Sequence, residues 1–148
     1  MTINDSPDGK PRDKRPGMGE PQFEHGLAMR RRVLGDAYVD AALDGATEFN
    51  WPMQKLVTEY CWGEIWNRPG LSLRDRSLLN LGMISALNRN QELRGHVRGA
   101  LNNGLTPNEI AEIFLQVAIY CGVPAAIDSF RTAQPVIDEH RVKTGATP

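Results

Sequence analysis

Apolar residues recur at helical intervals from Phe23 onward, and glycine, proline and asparagine interrupt them where a helix would end. The intervals predict helices over residues 22–34, 36–44, 53–65, 90–102 and 125–140, with two more that begin near Leu73 and Thr106. No alternating strand pattern competes with them. The sequence therefore predicts an all-α fold of about six to seven helices.

Two of the predicted helices have clear starting signals. Ser72 is a candidate N-cap with Asp75 three residues later, and Thr106-Pro107-Asn108-Glu109 combines an N-cap threonine, a first-turn proline and an acid. Breaks are predicted at Asn103-Gly104 and at Gly122-Val123-Pro124. The helix that begins near Leu73 is apolar nearly all round, which is typical of a buried element. Its apolar residues are Leu78, Leu79, Leu81, Met83, Ile84 and Leu87.

Composition separates a tail from a folded domain. Residues 1–21 are rich in proline and charge and almost free of apolar side chains, so they are expected to form a flexible tail ahead of a helical domain over 22–148. The net charge of -1 favours neither nucleic acid nor an anionic membrane as a partner. Without an apolar run that could span a bilayer or act as a secretory signal, the chain is expected in the cytoplasm.

The cysteines and two of the histidines do not indicate a metal or disulfide site. Cys61 and Cys121 are far apart in sequence and are expected to be buried free thiols. His25 is expected on the surface, and His140 near the end of the last helix. Neither histidine has acidic or cysteine neighbours at ligand spacing, so no metal is predicted.

Arg89, Glu92 and His96 stand at positions i, i+3 and i+7, which would place a cation, a carboxylate and an imidazole on one helix face. Proton transfer on an anionic substrate needs these groups. The alternative is an ordinary surface pair of Glu92 and His96 beside a solvated arginine.

Five blocks of sequence favour the catalytic interpretation. They are RRRVLGDAYVD at 30–40, YCWGEIWNRPGL at 60–71, RDRSLLNLG at 74–82, ALNRNQELRGHVRGALNNGLTPNEI at 86–110 and LQVAIYCGVPAA at 115–126. In this order they resemble the gamma-carboxymuconolactone decarboxylase family from about Arg30 to about Val136. The resemblance implies the helical fold of the alkylhydroperoxidase D-like superfamily and a homo-oligomer, a trimer or a hexamer. A high apolar content for a lone bundle also favours self-association.

The peroxidases of that superfamily carry Cys-x-x-Cys-x-x-x-His together with a relay glutamate. In that frame Arg89 and Glu92 occupy the cysteine positions, His96 the histidine position and Ser77 the glutamate position. A dithiol cycle is impossible at those positions.

The resemblance implies cofactor-independent decarboxylation of 4-carboxymuconolactone, a lactone dicarboxylate, to 3-oxoadipate enol-lactone in aromatic catabolism. His96 would act as acid or electrophile with Glu92 as its partner, and which of them protonates carbon stays open. Arg89, Arg31 and Arg76 are candidates for holding the substrate carboxylates, the last two on the resemblance. Arg74 is a further candidate. No metal or organic cofactor is expected.

Two aromatic residues complete the predicted site. Trp66 shares a helix face with Trp62 and would form a pocket wall or, alternatively, part of the core. Tyr120 would bring a phenol to the site where its helix breaks. Three alternative functions remain: a decarboxylase or isomerase for a related lactone or enolisable acid, a thiol peroxidase, and a non-catalytic oligomer that binds small anions.

Overall fold

The computed structural model describes residues 15–145, and all regular elements in that range are helical, which confirms the all-α prediction. No helix in this range is long and apolar enough to cross a membrane. The chain divides after Gly70 into an N-terminal and a C-terminal unit, each with its own buried residues. The elements are α1 (Pro21–Leu34), α2 (Asp36–Asp44), α3 (Trp51–Leu56), a π-helix (Val57–Ile65), α4 (Leu73–Ala86), α5 (Asn90–Asn102), α6 (Pro107–Cys121) and α7 (Val123–Thr144).

In the N-terminal unit α1 packs along the π-helix at backbone contact. Gly26 makes this possible, because a Cβ atom there would lie 1.8 Å from the carbonyl oxygen of Thr58. The buried side of α1 carries Phe23 and Val33, and Phe23 packs on Trp51 with ring centroids 5.7 Å apart.

The π-helix was not foreseen, since the sequence predicted an uninterrupted α-helix over 53–65. In a π-helix each N–H donates to the carbonyl five residues earlier, and the bond from Trp66 N to Cys61 O, 3.0 Å long, has this spacing. Asn67 Nδ2 donates to the carbonyl oxygens of Trp62 and Gly63 at 2.8 and 3.1 Å. These bonds supply donors to carbonyls in the last turns of the π-helix.

The end of the predicted tail is packed against the N-terminal unit. Arg15 is 6% exposed, donates to the carbonyl oxygens of Leu43 and Ala46, and lies over the ring of Trp51 at 5.0 Å from its centroid. The rest of the predicted flexible tail, residues 1–14, lies outside the described residues.

The C-terminal unit is a bundle in which α5 packs on α4 and α7, and α6 packs on the same two helices. The predicted N-caps are confirmed: Ser72 Oγ accepts from Asp75 N, and Thr106 and Glu109 form a reciprocal capping box. Gly104 and Gly122 follow their helices with φ of 94° and 108°. The core consists of Leu81, Leu93, Val97, Ala100, Leu101, Leu105, Ile110, Phe114, Ala133 and Val136.

Two predictions of burial are wrong. Only one face of α4 is buried, formed by Ser77, Leu81 and Ser85, whereas its other large apolar side chains are mostly exposed. Leu78, Leu79, Met83 and Leu87 are 42–69% exposed. Cys121 is exposed rather than buried, and Cys61 is half-buried. The last helix begins at Val123 rather than at residue 125, because Pro124 falls in its first turn, where proline is tolerated, and it continues beyond residue 140 to Thr144.

Candidate active site

Helix α5 carries both candidate acid–base residues. Glu92 lies in its first turn and is exposed, and His96 lies one turn later and is half-buried beside Leu93, Val97 and Ala100, which are buried. The apolar side of α5 faces α4 and α7, so the imidazole stands at the edge of the core while the carboxylate stands in water.

Burial lowers the pKa of His96 below its ordinary value of 6.5, and the charge of Glu92 acts in the opposite direction. Because burial is the larger effect, His96 is a neutral imidazole at pH 7. A neutral imidazole keeps one N–H, which it can donate to a developing oxyanion.

Arg89 immediately precedes α5. It is the N-cap of α5, with φ -96° and ψ 69°, and it follows Asn88, which has a positive φ of 55°. The chain thus enters α5 through a left-handed residue, and Arg89 stands exposed at the start of the helix. Glu92 and His96 lie one turn apart on α5, and a shared face with Arg89 stays a prediction.

Two of the other candidate arginines are held in ion pairs. Arg31 donates to Asp36 at 3.2 Å and to Asp40 at 2.7 Å, and the hydrogen bond to Asp40 is the main cause of its raised pKa. Arg74 is paired with Glu109, which links the first turns of α4 and α6. Arg76 is half-buried on α4.

The sequence analysis passed over Arg30, which is 6% exposed and donates from Nη1 to Gln54 and Thr58. A signal was available. Phe23, Leu27, Arg30 and Leu34 follow one another at three- and four-residue intervals, so Arg30 stands on the apolar stripe of α1.

The two tryptophans of the predicted pocket wall are core residues of the N-terminal unit. Trp62 and Trp66 are 3% and 4% exposed and stack with ring centroids 4.8 Å apart. This arrangement agrees with the packing alternative. The role of Trp66 as a pocket wall stays a prediction.

An apolar groove about 750 Å³ in volume runs between α4 and α6. The Arg74–Glu109 pair lies where both helices begin, and Tyr120, 78% exposed, lies where α6 ends. A smaller cavity of about 70 Å³ lies between α5 and α7. Neither of these two cavities is lined by Glu92 or His96. Among residues 15–145 there is no cluster of three histidine, cysteine or acidic residues that could hold a metal ion.

Comparison with known proteins agrees with the family indicated by the sequence blocks. Residues 52–135 match the model of the Carboxymuconolactone decarboxylase family. Nitrosuccinic acid decarboxylase of Metarhizium robertsii is 46% identical over 117 residues, which cover 79% of this chain and 82% of the relative. The 4-carboxymuconolactone decarboxylase of Acinetobacter baylyi is 37% identical over 120 residues, 81% of this chain and 90% of the relative.

Proposed function

The chain belongs to the carboxymuconolactone decarboxylase family, and from this premise we propose that it decarboxylates 4-carboxymuconolactone to 3-oxoadipate enol-lactone. The observation that carries the proposal is the pairing, on α5, of a half-buried neutral imidazole with an exposed carboxylate one turn earlier, in a chain of this family. Aromatic catabolism in the cytoplasm is the setting we propose for the reaction.

The chemistry needs an electron acceptor that the substrate already contains. When the ring carboxylate leaves as carbon dioxide, the electron pair of the broken C–C bond passes through the ring alkene into the lactone carbonyl. The resulting dienolate then takes one proton on carbon. An external electron sink is therefore not required for this step.

We assign His96 the task of donating its N–H to the lactone oxygen as negative charge develops there. Loss of one such donor typically lowers kcat about 100- to 1000-fold. Glu92 orients the imidazole and takes part in the proton transfer, as its electrostatic coupling to His96 allows. Substrate binding by Arg89, Arg31, Arg76, Trp66 and Tyr120 stays a prediction.

Nitrosuccinate is the second candidate substrate, because the relative named for it is 46% identical to this chain. Loss of the carboxylate next to its nitro group sends the electron pair into that group and gives a nitronate, which takes a proton on carbon to form 3-nitropropanoate. The same donor and proton source would serve both reactions. Both substrates are dicarboxylates that contain their own electron acceptor, which the broken bond reaches directly in nitrosuccinate and through the ring alkene in the lactone.

The test offers both compounds to the purified protein and follows carbon dioxide release, with ultraviolet loss for the lactone. We expect turnover of the lactone, at least a 100-fold lower kcat in His96→Ala with a smaller change in KM, and unchanged activity in the surface variant His25→Ala. Faster turnover of nitrosuccinate would transfer the proposal to that substrate. Binding without carbon dioxide release from either compound would refute decarboxylation and leave the anion-binding alternative.

The peroxidase alternative is tested with hydrogen peroxide and a dithiol reductant. We expect no peroxide consumption, and we expect full decarboxylation in the double variant Cys61→Ser/Cys121→Ser. Peroxide turnover that disappears with the cysteines would establish thiol chemistry instead.

We also propose that the protein associates with copies of itself, as a trimer or a hexamer. The support is the apolar groove of α4 and α6, together with exposed apolar side chains on α6 and α7, among them Ile119 at 80% and Val123 at 56%. Exposed apolar patches on a soluble protein commonly mark an interaction site. Light scattering after gel filtration measures the mass, and a monomer at micromolar concentration would refute this proposal.

A further inference from the structure

Arg30 has an unused hydrogen-bonding edge in the N-terminal unit. Its Nη1 donates to Gln54 Oε1 at 2.9 Å and to Thr58 Oγ1 at 3.1 Å. Its Nε is buried and has no acceptor among residues 15–145. Both hydrogen bonds of the guanidinium thus leave from one nitrogen, and the edge formed by Nε and Nη2 is not used. That edge has the geometry that binds a carboxylate with two parallel hydrogen bonds.

Arg30 has no carboxylate partner among residues 15–145. Its two acceptors are an amide and a hydroxyl, and the nearby acid groups that act on its charge are the phenol of Tyr38 and the thiol of Cys61. Arg31 adds a like charge next to it, and the carboxylates of Asp36 and Asp40 on α2 are paired with Arg31. Burial is the main reason that the pKa of Arg30 lies below its usual value. Buried charges in proteins are ordinarily paired.

The surroundings leave an approach to the guanidinium. Arg30 itself keeps 6% exposure, and the two residues whose acid groups act on its charge are partly exposed, Tyr38 at 38% and Cys61 half-buried. Its hydrogen bond to Thr58 ties it to the π-helix at the residue that Gly26 of α1 contacts. The cation is therefore anchored through Nη1 and lies among residues that reach the surface.

We infer that Arg30 binds a carboxylate group of a small dicarboxylate through Nε and Nη2. The inference rests on the proposed function in one respect: the natural ligand would then be the decarboxylase substrate. It assigns carboxylate binding to Arg30, which has no carboxylate partner among the described residues, whereas its neighbour Arg31 already has two. The competing explanation is that Arg30 only ties α1 to the π-helix.

The first test measures substrate kinetics in Arg30→Met and Arg30→Lys, with Arg32→Met as the matched control. Arg32 is the exposed arginine two residues away on the same helix, so its loss removes the same charge without touching the buried edge. We expect KM to rise about 10- to 100-fold in Arg30→Met, less in Arg30→Lys, and not at all in Arg32→Met. A merely structural role would lower the stability of the Arg30 variants and leave KM unchanged in those that fold.

The second test does not depend on turnover and uses Cys61 as a reporter. The nearby guanidinium favours the Cys61 thiolate, although burial raises the pKa of this thiol overall. A carboxylate bound to Arg30 would cancel that effect and slow alkylation of Cys61 by iodoacetamide. The experiment compares succinate with uncharged succinamide at equal ionic strength, in the Cys121→Ser background so that one thiol reacts.

We expect succinate, but not succinamide, to slow the alkylation at least threefold, and we expect no slowing in Arg30→Lys or Arg30→Met. If Arg30→Met does not fold, the lysine variant and the wild-type succinate effect still decide the outcome. Failure of the wild type to release carbon dioxide would refute the proposed function and leave this test intact. Normal turnover with unchanged KM in Arg30→Lys and no succinate effect would overturn the inference.

Discussion

Replacing Gly26 by alanine should destabilise the N-terminal unit. The new Cβ would lie 1.8 Å from Thr58 O, 2.8 Å from Thr58 C and 3.0 Å from Gly63 N. All three atoms belong to the backbone, so no side chain can rotate away. To reach even 3.0 Å from the carbonyl oxygen, α1 and the π-helix must separate by about 1.2 Å.

The expected magnitude follows from two opposing effects. Forcing packed elements apart costs about 1–3 kcal/mol, and a backbone obstacle places this case at the upper end. Alanine regains about 1 kcal/mol in a helix interior relative to glycine. The free energy of unfolding should therefore fall by about 2 kcal/mol, which corresponds to a urea midpoint about 1 M lower. The displacement of Thr58 should also weaken its hydrogen bond from Arg30.

The assay is urea unfolding followed by tryptophan fluorescence. All three tryptophans of the chain lie before Gly70, so the signal reports the N-terminal unit. Gly63→Ala is the matched control, because its Cβ would lie 3.5 Å from Thr58 O, an ordinary contact in the same crossing. Equal midpoints for Gly26→Ala and Gly63→Ala would show that the two helices are not held at backbone contact.

Four further predictions follow from the C-terminal unit. Glu92→Gln should lower the pKa of His96 further, since the charge of the Glu92 carboxylate raises it. An NMR titration of the imidazole measures this pKa, and an upward shift in the variant would contradict the coupling of the two residues. Since the folded pKa of His96 lies below its unfolded value of about 6.5, wild-type stability should fall as pH drops below that value, and His96→Ala should reduce the fall. Thr106→Ala should cost about 1 kcal/mol in thermal or chemical unfolding through loss of the capping box, whereas an unchanged midpoint would refute the cap's contribution. Met83→Lys, in the apolar groove, should reduce the mass measured by light scattering, while the exposed variant Gln134→Lys on α7 should not.

Local signals in the sequence predicted the helix boundaries well. Ser72 and Thr106 mark the first turns of α4 and α6 because their side chains accept from the backbone N–H three residues later. Gly122 separates α6 from α7 because its φ of 108° is a conformation that other residues rarely adopt. These helix ends depend on residues that are close together along the chain, so the sequence pattern predicts them.

The features that the sequence did not predict depend on contacts between distant segments. The π-helix has the composition of an ordinary helix, and its wide turns coincide with the crossing of Gly26 over Thr58. The exposed side of α4 is apolar, so hydrophobicity alone predicted burial there. Arg89 has the predicted spacing to Glu92 and His96, and the structure adds that it is the N-cap of α5 and follows the left-handed Asn88.

The candidate site also combines features that the sequence predicted with features that depend on the folded structure. Family resemblance and helical spacing selected Glu92 and His96, and the structure adds the half-burial that makes the imidazole neutral. The resemblance favoured Arg31, whose carboxylate partners Asp36 and Asp40 lie on the following helix, within nine residues. The spacing of Arg30 places it on the apolar stripe of α1, and the structure adds that its Nε has no acceptor among residues 15–145.

The π-helix also constrains the length of the N-terminal unit. Its early part supplies Thr58 to Arg30, and its last turns lead into the stack of Trp62 on Trp66. Removal of one residue between these two points shifts the later side chains around the helix axis, and only conversion of the wide turns to α-helical hydrogen bonding would bring them back towards their places. That conversion would in turn change the backbone spacing where Gly26 crosses Thr58. Single-residue deletions should accordingly be tolerated far less well in this segment than conservative substitutions.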